Sequence, residues 1–255
     1  MFEYIENPKT KGSGIVCCIP QKGVCPMKCD DCFFQSGRSY LEPLDQHLPN
    51  IPDPNSVGDI AIVRVNDGND SNNKRDLVEE VTSLYPRKFY NTSINRDLDK
   101  FDAPVVLTVN PGALTNSPLC MLLEEPPKNL MFVRYRTNMW NLDIADTVIE
   151  HYSARSVPIV LTFMAYYSEE SIPIQSKHCY IYRKRTLNSY WAITTDAWER
   201  VMARYKYNKW VYSCGKIEGE KGVTGCRFCG NCLREYFATM ERLAPFCKTI
   251  EEKSK

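Results

Sequence analysis

Cys25, Cys29 and Cys32 lie in the run Cys-Pro-Met-Lys-Cys-Asp-Asp-Cys, spaced by three residues and then two. Thiolates suit soft metals, and a [4Fe–4S] cube takes four ligands. Three cysteines on one tight loop, with no fourth close behind, leave one iron open. An open iron is a place for chemistry rather than for storing an electron. A structural zinc site would instead want four ligands in two pairs. The nearest histidine, His47, lies beyond a stretch holding Gly, Arg and Pro.

A second set sits near the C-terminus. Cys226-Arg-Phe-Cys-Gly-Asn-Cys232 has a ferredoxin-like spacing for three ligands, and Cys214 stands upstream across the glycines Gly215, Gly219, Gly222 and Gly225. Cys214, Cys226, Cys229 and Cys232 could complete a [4Fe–4S] cluster, or a four-cysteine zinc ribbon. The chain holds 12 cysteines, too many to ignore, yet it is long and opens without a signal-peptide-like apolar stretch. Clustered thiols in such a chain point to metal rather than to a disulfide scaffold.

The Cys-x3-Cys-x2-Cys run resembles the signature of the radical S-adenosylmethionine (radical SAM) superfamily. The resemblance implies that S-adenosylmethionine chelates the open iron and is reductively cleaved to a 5′-deoxyadenosyl radical that abstracts hydrogen from a substrate. It implies a partial (β/α)6 TIM-like barrel, and an electron donor such as flavodoxin or ferredoxin. It also implies a loop after the second strand that holds the methionyl amine. Asn66, Asp67, Gly68 and Asn69 stand at the matching place, where an ordinary Asn/Asp/Gly turn is the alternative. At later strand ends the candidates for SAM contact are Asn110, Arg134 and Arg136, the two arginines being equally readable as solvated or ion-paired. The four-cysteine tail is similar to the auxiliary clusters of many such enzymes, though its spacing does not match the longer SPASM pattern. One departure stands out: Asp31 precedes the third cysteine where an aromatic residue is usual, with Phe33 and Phe34 following.

These loops need strands to carry them. Apolar runs predict strands over Gly14–Ile19, Asp59–Val65, Lys88–Thr92, Val105–Val109, Leu130–Arg136 and Pro158–Ala165. Several are continuously apolar, as in parallel strands buried on both faces. Helical periodicity falls over Arg75–Leu84, Leu142–Ser153, Asp196–Tyr205 and Leu233–Leu243, with Asp196 and Glu199 resembling a capping box. The pattern predicts an α/β fold with a small C-terminal cysteine-cluster unit. A barrel and a doubly wound open sheet both satisfy it. The division expected is 1–191 for the core and 192–255 for the C-terminal helical unit. The Pro-rich region Glu42–Pro54 reads as an irregular connection, and Tyr166–Trp191 as an insertion or hairpin.

A net charge of +1 argues against a uniformly basic nucleic-acid binder. From Lys177 to Lys209, however, eight Lys or Arg face two acids, interleaved with Tyr180, Tyr182, Tyr190, Trp191, Trp198, Tyr205 and Tyr207. Such a mixture suits a nucleic-acid or nucleotide substrate. The bland reading puts Trp198 and Tyr205 in a helix core. A peptide substrate, and a non-enzymatic iron–sulfur or zinc binding module, are the rival readings. His151 and His178 read as structural. No apolar run approaches bilayer length, and the expectation is a cytoplasmic protein without a membrane partner.

Overall fold

The computed structural model describes residues 3–23, 25, 48–110, 122–184, 189–215 and 225–253. Seven parallel strands form its centre: β1 (Ile15–Cys18), β2 (Ile62–Val65), β3 (Lys88–Thr92), β4 (Val105–Val109), β5 (Leu130–Thr137), β6 (Ile159–Phe163) and β9 (Val211–Ser213). They neighbour one another in chain order, and the sheet curls into a half-barrel. All six predicted strands are present. β9 was not foreseen, because three residues between Trp210 and Cys214 carry no readable alternation.

Strict chain order has a physical consequence. A doubly wound sheet reverses direction part-way and places helices on both faces, whereas this order contains no reversal. Right-handed crossovers then all fall on one side. The packing agrees. Val78 of α2 (Arg75–Thr82), Ala145, Val148, Ile149 and Tyr152 of α3 (Leu142–Ala154), and Val201 of α4 (Thr195–Arg204) share one apolar cluster. They meet Val63, Val65, Leu107, Val133, Tyr135 and Leu161 of the sheet, its outer face.

The inner face is closed differently. Ile15, Ile62, Phe89, Val106, Met131, Phe132 and Val160 pack with Tyr236 and Leu233. Both belong to the C-terminal helix α6 (Asn231–Lys253). Asn231 Nδ2 donates to the Ser213 carbonyl at 2.9 Å, and Arg242 Nη2 donates to the Leu130 carbonyl at 2.8 Å. α6 therefore runs across the inner face from the C-terminal end of β9 to the start of β5. The stretch 192–255 thus contributes β9 to the sheet itself and α6 to its inner face.

Two helix details depart from the periodicity. The cap of α4 is Thr194, not Asp196: Thr194 is extended, and its Oγ1 accepts from the Ala197 N–H at 3.3 Å. On α6, Tyr236 and Thr239 are buried while Phe237 and Met240 face outward, because the sheet covers only a narrow side of the helix. Tyr166–Trp191 includes one strand of an antiparallel ribbon, β7 (Tyr180–Arg183) paired with β8 (Tyr190–Ile193), plus two short 3₁₀ turns. The Pro-rich connection falls partly outside the described residues, and a one-turn helix, α1 (Pro54–Val57), ends it. No helix among the described residues is long and apolar enough to cross a membrane.

Docking of α6 on the inner face is testable. Tyr236→Ala should cost about 3–5 kcal/mol, as for other large aromatic truncations in cores. Met240→Ala, on the exposed side, should stay within about 0.5 kcal/mol. Chemical denaturation of both variants checks the pair, and equal losses would place α6 elsewhere.

Candidate metal centre and cofactor site

Alternation along the parallel strands sets the site. Residues at every second position face inward. The lower inner layer is apolar, and the next carries Cys17, Arg64, Asn91, Thr108, Arg134 and Thr162. Above it, the C-terminal strand ends lead into loops, where parallel α/β folds gather reactive groups.

The loop after β2 starts with Asn66 in the left-handed region at φ 62°, its N–H donating to the Cys18 carbonyl at 2.7 Å. Asn66 Nδ2 donates to Ser71 Oγ at 3.0 Å, whereas its Oδ1 is buried with no donor. Asp67 is engaged on both oxygens. Its Oδ1 accepts from Arg64 Nη2 at 2.5 Å and its Oδ2 from Asn7 Nδ2 at 2.6 Å. Gly68 is buried beside it. Asn69 Nδ2 donates to the Gly23 carbonyl at 3.0 Å, and Gln21 Nε2 donates to the carbonyls of Asp70 and Asn73. Gln21 and Gly23 lead directly into Cys25. The loop after β2 and the segment entering the first cysteine run are therefore tied by side-chain hydrogen bonds. Cys25 itself, seven residues past β1, is half-buried, while Cys29 and Cys32 lie outside the described residues, as do Asp31, Phe33 and Phe34.

Asp70 fixes the same loop to the next strand. Its carboxylate accepts from Thr92 Oγ1 at 2.7 Å, the Ser93 N–H at 2.6 Å and the Asn72 N–H at 2.9 Å. Burial nevertheless holds its pKa above the usual carboxylate value, outweighing those donors. Asn110 stands at the end of β4 with Nδ2 3.5 Å from Ser93 Oγ.

On β5 the two arginines occupy successive inward positions. Arg134 Nη1 donates to Asn91 Oδ1 at 2.9 Å, and Asn91 Nδ2 donates to the Val65 carbonyl. Arg136, nearer the strand end and 8% exposed, reaches Met164 Sδ at 3.9 Å. Asn138 Nδ2 donates to Tyr166 Oη at 3.0 Å, which ties the strand end to the aromatic ribbon.

Two members of the second cysteine set, Cys226 and Cys232, lie near Arg64 and Arg134. Cys214 follows β9 directly, its N–H donating to the Leu161 carbonyl at 2.9 Å. Cys226 and Cys229 bound a single helical turn, α5 (Cys226–Cys229), which closes at Gly230 with φ 61°, a conformation that glycine adopts without steric cost. The Cys226 N–H donates to the Lys9 carbonyl at 3.0 Å, so the N-terminal segment clasps this turn. Cys232 lies in the first turn of α6, and with Cys214 it packs against the inner apolar cluster.

The four thiols share one electrostatic neighbourhood. Burial pushes the Cys232 thiol up to about 12, against the opposing pull of the Arg134 and Arg64 guanidinium groups. Burial also raises Cys226, again opposed by Arg64, with Cys214 and Cys229 close enough to add to the rise. All four are free thiols. Among the described residues no three potential ligands are pre-assembled around a metal position. The donor set still fits a tetrathiolate centre. The donors are all thiols, two of them lie near cationic side chains, and metal binding would displace the protons that burial retains on Cys226 and Cys232.

The basic segment divides into core and surface. Trp198 is buried with Nε1 donating to Ser213 Oγ at 2.8 Å, and Tyr205 Oη donates to Asp146 Oδ1 at 2.9 Å. Ile181, Tyr182, Arg183 and Lys184 are exposed along β7, with the Tyr182 ring 5.4 Å from that of Trp191. Tyr166 pairs with Trp191 through both backbone groups, anchoring the ribbon just beyond β6. Arg185 lies outside the described residues. His151 Nε2 is 2.8 Å from the Leu123 carbonyl.

Cys17, Gln21, Arg64 and Asn91 were not foreseen as site residues. Arg64 had a visible signal, being the sole charge within an otherwise apolar strand. No known protein family, curated protein or solved structure matches this chain.

Asp70→Asn should destabilise the fold by about 1–3 kcal/mol, since an amide nitrogen would face the Ser93 N–H and leave that buried donor without an acceptor. The wild-type carboxyl has a raised folded pKa, so its contribution is fully present below the unfolded pKa. It fades as pH rises through the folded value. The gap between wild type and variant should therefore narrow from acid to neutral pH. Denaturant melts across that range check the trend, and a gap that widens with pH would contradict it.

Proposed function

We propose that this chain is a radical SAM enzyme on a partial (β/α)6 TIM-like barrel, with a [4Fe–4S] cluster held by Cys25, Cys29 and Cys32. One observation supports the reading: the segment that leads from β1 to Cys25 is tied, through Gln21 and Gly23, to the loop after β2 of a parallel sheet whose strands run in chain order. When bound, the cluster and S-adenosylmethionine supply the 5′-deoxyadenosyl radical that abstracts hydrogen from a substrate.

The chain's own residues bind and orient. Asn66 Oδ1, buried without a donor, is the acceptor offered to an ammonium group. Asp67 is already engaged by Arg64 and Asn7, so it sets the shape of this loop rather than meeting the cofactor. Gly68 leaves room for close backbone approach. Asn69 and Gln21 keep the loop at one spacing from the segment entering Cys25. Arg136, higher on the inner face than Arg134, is the cation offered to the methionyl carboxylate, with Asn110 beside it at the neighbouring strand end.

Cys214, Cys226, Cys229 and Cys232 are assigned to a second [4Fe–4S] cluster, with zinc as the alternative. An electron donor such as flavodoxin or ferredoxin would deliver reducing equivalents. A nucleic acid or nucleotide is favoured over a peptide as substrate. The exposed Tyr182, Arg183 and Lys184 pair an aromatic face with cations near the β6 end, the side of the sheet that carries the site. The free thiols of all the described cysteines suit a reducing, cytoplasmic setting.

Anaerobically reconstituted protein incubated with S-adenosylmethionine and dithionite should form 5′-deoxyadenosine, followed by chromatography. Cys29→Ala should abolish it, and Asn66→Ala should raise the concentration of S-adenosylmethionine needed. A wild-type chain that cannot be loaded with a cluster at the first site would overturn the enzyme reading in favour of a metal-stapled binding module.

A further inference from the structure

Two part-buried cations stand on the inner face. Arg64 has a side chain 12% exposed, inside a sheet, where an ion costs several kcal/mol unless compensated. Its Nη2 serves both Asp67 Oδ1 and Cys17 Sγ, the latter at 3.2 Å. Its Nε–H is buried and meets no acceptor. A guanidinium needed only for Asp67 would use one edge, and this one keeps a further donor in hand.

Arg134 stands on the same inner layer and donates to Asn91, a neutral amide. No carboxylate pairs with it among the described residues. Arg64, Arg134 and Asp67 together leave one positive charge near Cys226 and Cys232. The nearby thiols cannot balance it while protonated. A tetrathiolate centre can, since a [4Fe–4S]²⁺ cube or a Zn²⁺ ion with four thiolates carries about two negative charges.

We infer that Arg64 and Arg134 are the counter-charges of the metal centre formed by Cys214, Cys226, Cys229 and Cys232, with the Arg64 Nε–H serving one of its sulfurs. The inference rests on the assignment of metal to those four cysteines. The two arginines are positioning residues: they touch neither substrate nor reacting atoms. They hold the anionic centre against the sheet, and they favour its reduced form, which carries one more negative charge. Hydrogen bonds to sulfur and nearby charge are established levers on such potentials.

The test isolates this centre in full-length Cys29→Ala protein, reconstituted anaerobically, with iron, sulfide and zinc counted per chain. Into this background go Arg134→Gln, which keeps an amide donor for Asn91 but loses the charge, and Arg64→Lys, which keeps a cation for Asp67 but loses the Nε–H. In an iron-loaded centre, Arg134→Gln should lower the reduced-to-oxidised ratio at fixed potential about tenfold, a midpoint about 59 mV lower for one electron. Arg64→Lys should shift it in the same direction, by less. Electron paramagnetic resonance during a redox titration reads both. Unchanged midpoints in both variants would overturn the inference while leaving the cluster in place. Zinc in place of iron would overturn the iron–sulfur assignment alone, and chelator competition then decides. About tenfold weaker zinc in Arg134→Gln supports the counter-charge role, and equal affinity refutes it. A chain that holds no metal at the four cysteines overturns both.

Discussion

A parallel sheet has two faces, and neither tolerates water against its apolar rows. Here the strands run in chain order, so right-handed crossovers land on the outer side, and among the described residues the inner face receives no crossover helix. The chain solves this with α6, laid across the inner face and fastened at one end by Asn231 and toward the other by Arg242. The second cysteine set depends on that solution. Cys232 is in the first turn of α6, and Cys226 and Cys229 lie in the turn that aims it. Closing the half-barrel and assembling the four thiols are one structural event.

The same constraint sorts polarity by height. The lower inner layer is filled by Ile62, Phe89, Val106, Phe132 and Val160, against which Tyr236 packs. One step up, α6 has not yet covered the sheet fully, and the layer turns polar with Arg64, Asn91 and Arg134. At the strand ends the loops take over, with Asp70, Asn69 and Gln21 binding three of them together. Burial alone would disfavour such groups. Each engages a neighbour instead, from Asp67 through Arg64 to Cys17, and from Arg134 through Asn91 to the β2 backbone.

Much of this is legible in the residues themselves. Long apolar runs such as Val105–Val109 announce buried parallel strands, and their order in the chain becomes their order in the sheet. β9 is illegible because its three residues owe their strand conformation to β6, not to local propensity. The cap at Thr194 is missed since Asp196 offers a more familiar pattern two residues later, though only Thr194 has the extended backbone that lets its oxygen reach back. Phe237 and Met240 show the limit of periodicity: it assigns an apolar stripe, while tertiary geometry decides how wide a stripe is covered. The cysteine runs stand out as ligand sets by spacing. That Cys226 and Cys232 lie near Arg64 and Arg134 needs strand register, which links residues 92 to 168 positions apart and leaves no local trace.

α6 follows every strand of the sheet in the chain. Until its residues leave the ribosome, a nascent chain carries a curled sheet with Ile62, Phe89, Phe132 and Val160 uncovered on its concave side. Exposed apolar surface of that kind invites association with other chains. The segment before β1 is tied to the same region, the Lys9 carbonyl accepting from the Cys226 N–H. That contact waits until the residues beyond β9 have been made. Loss of α6 alone would leave all seven strands of the sheet with their inner face uncovered.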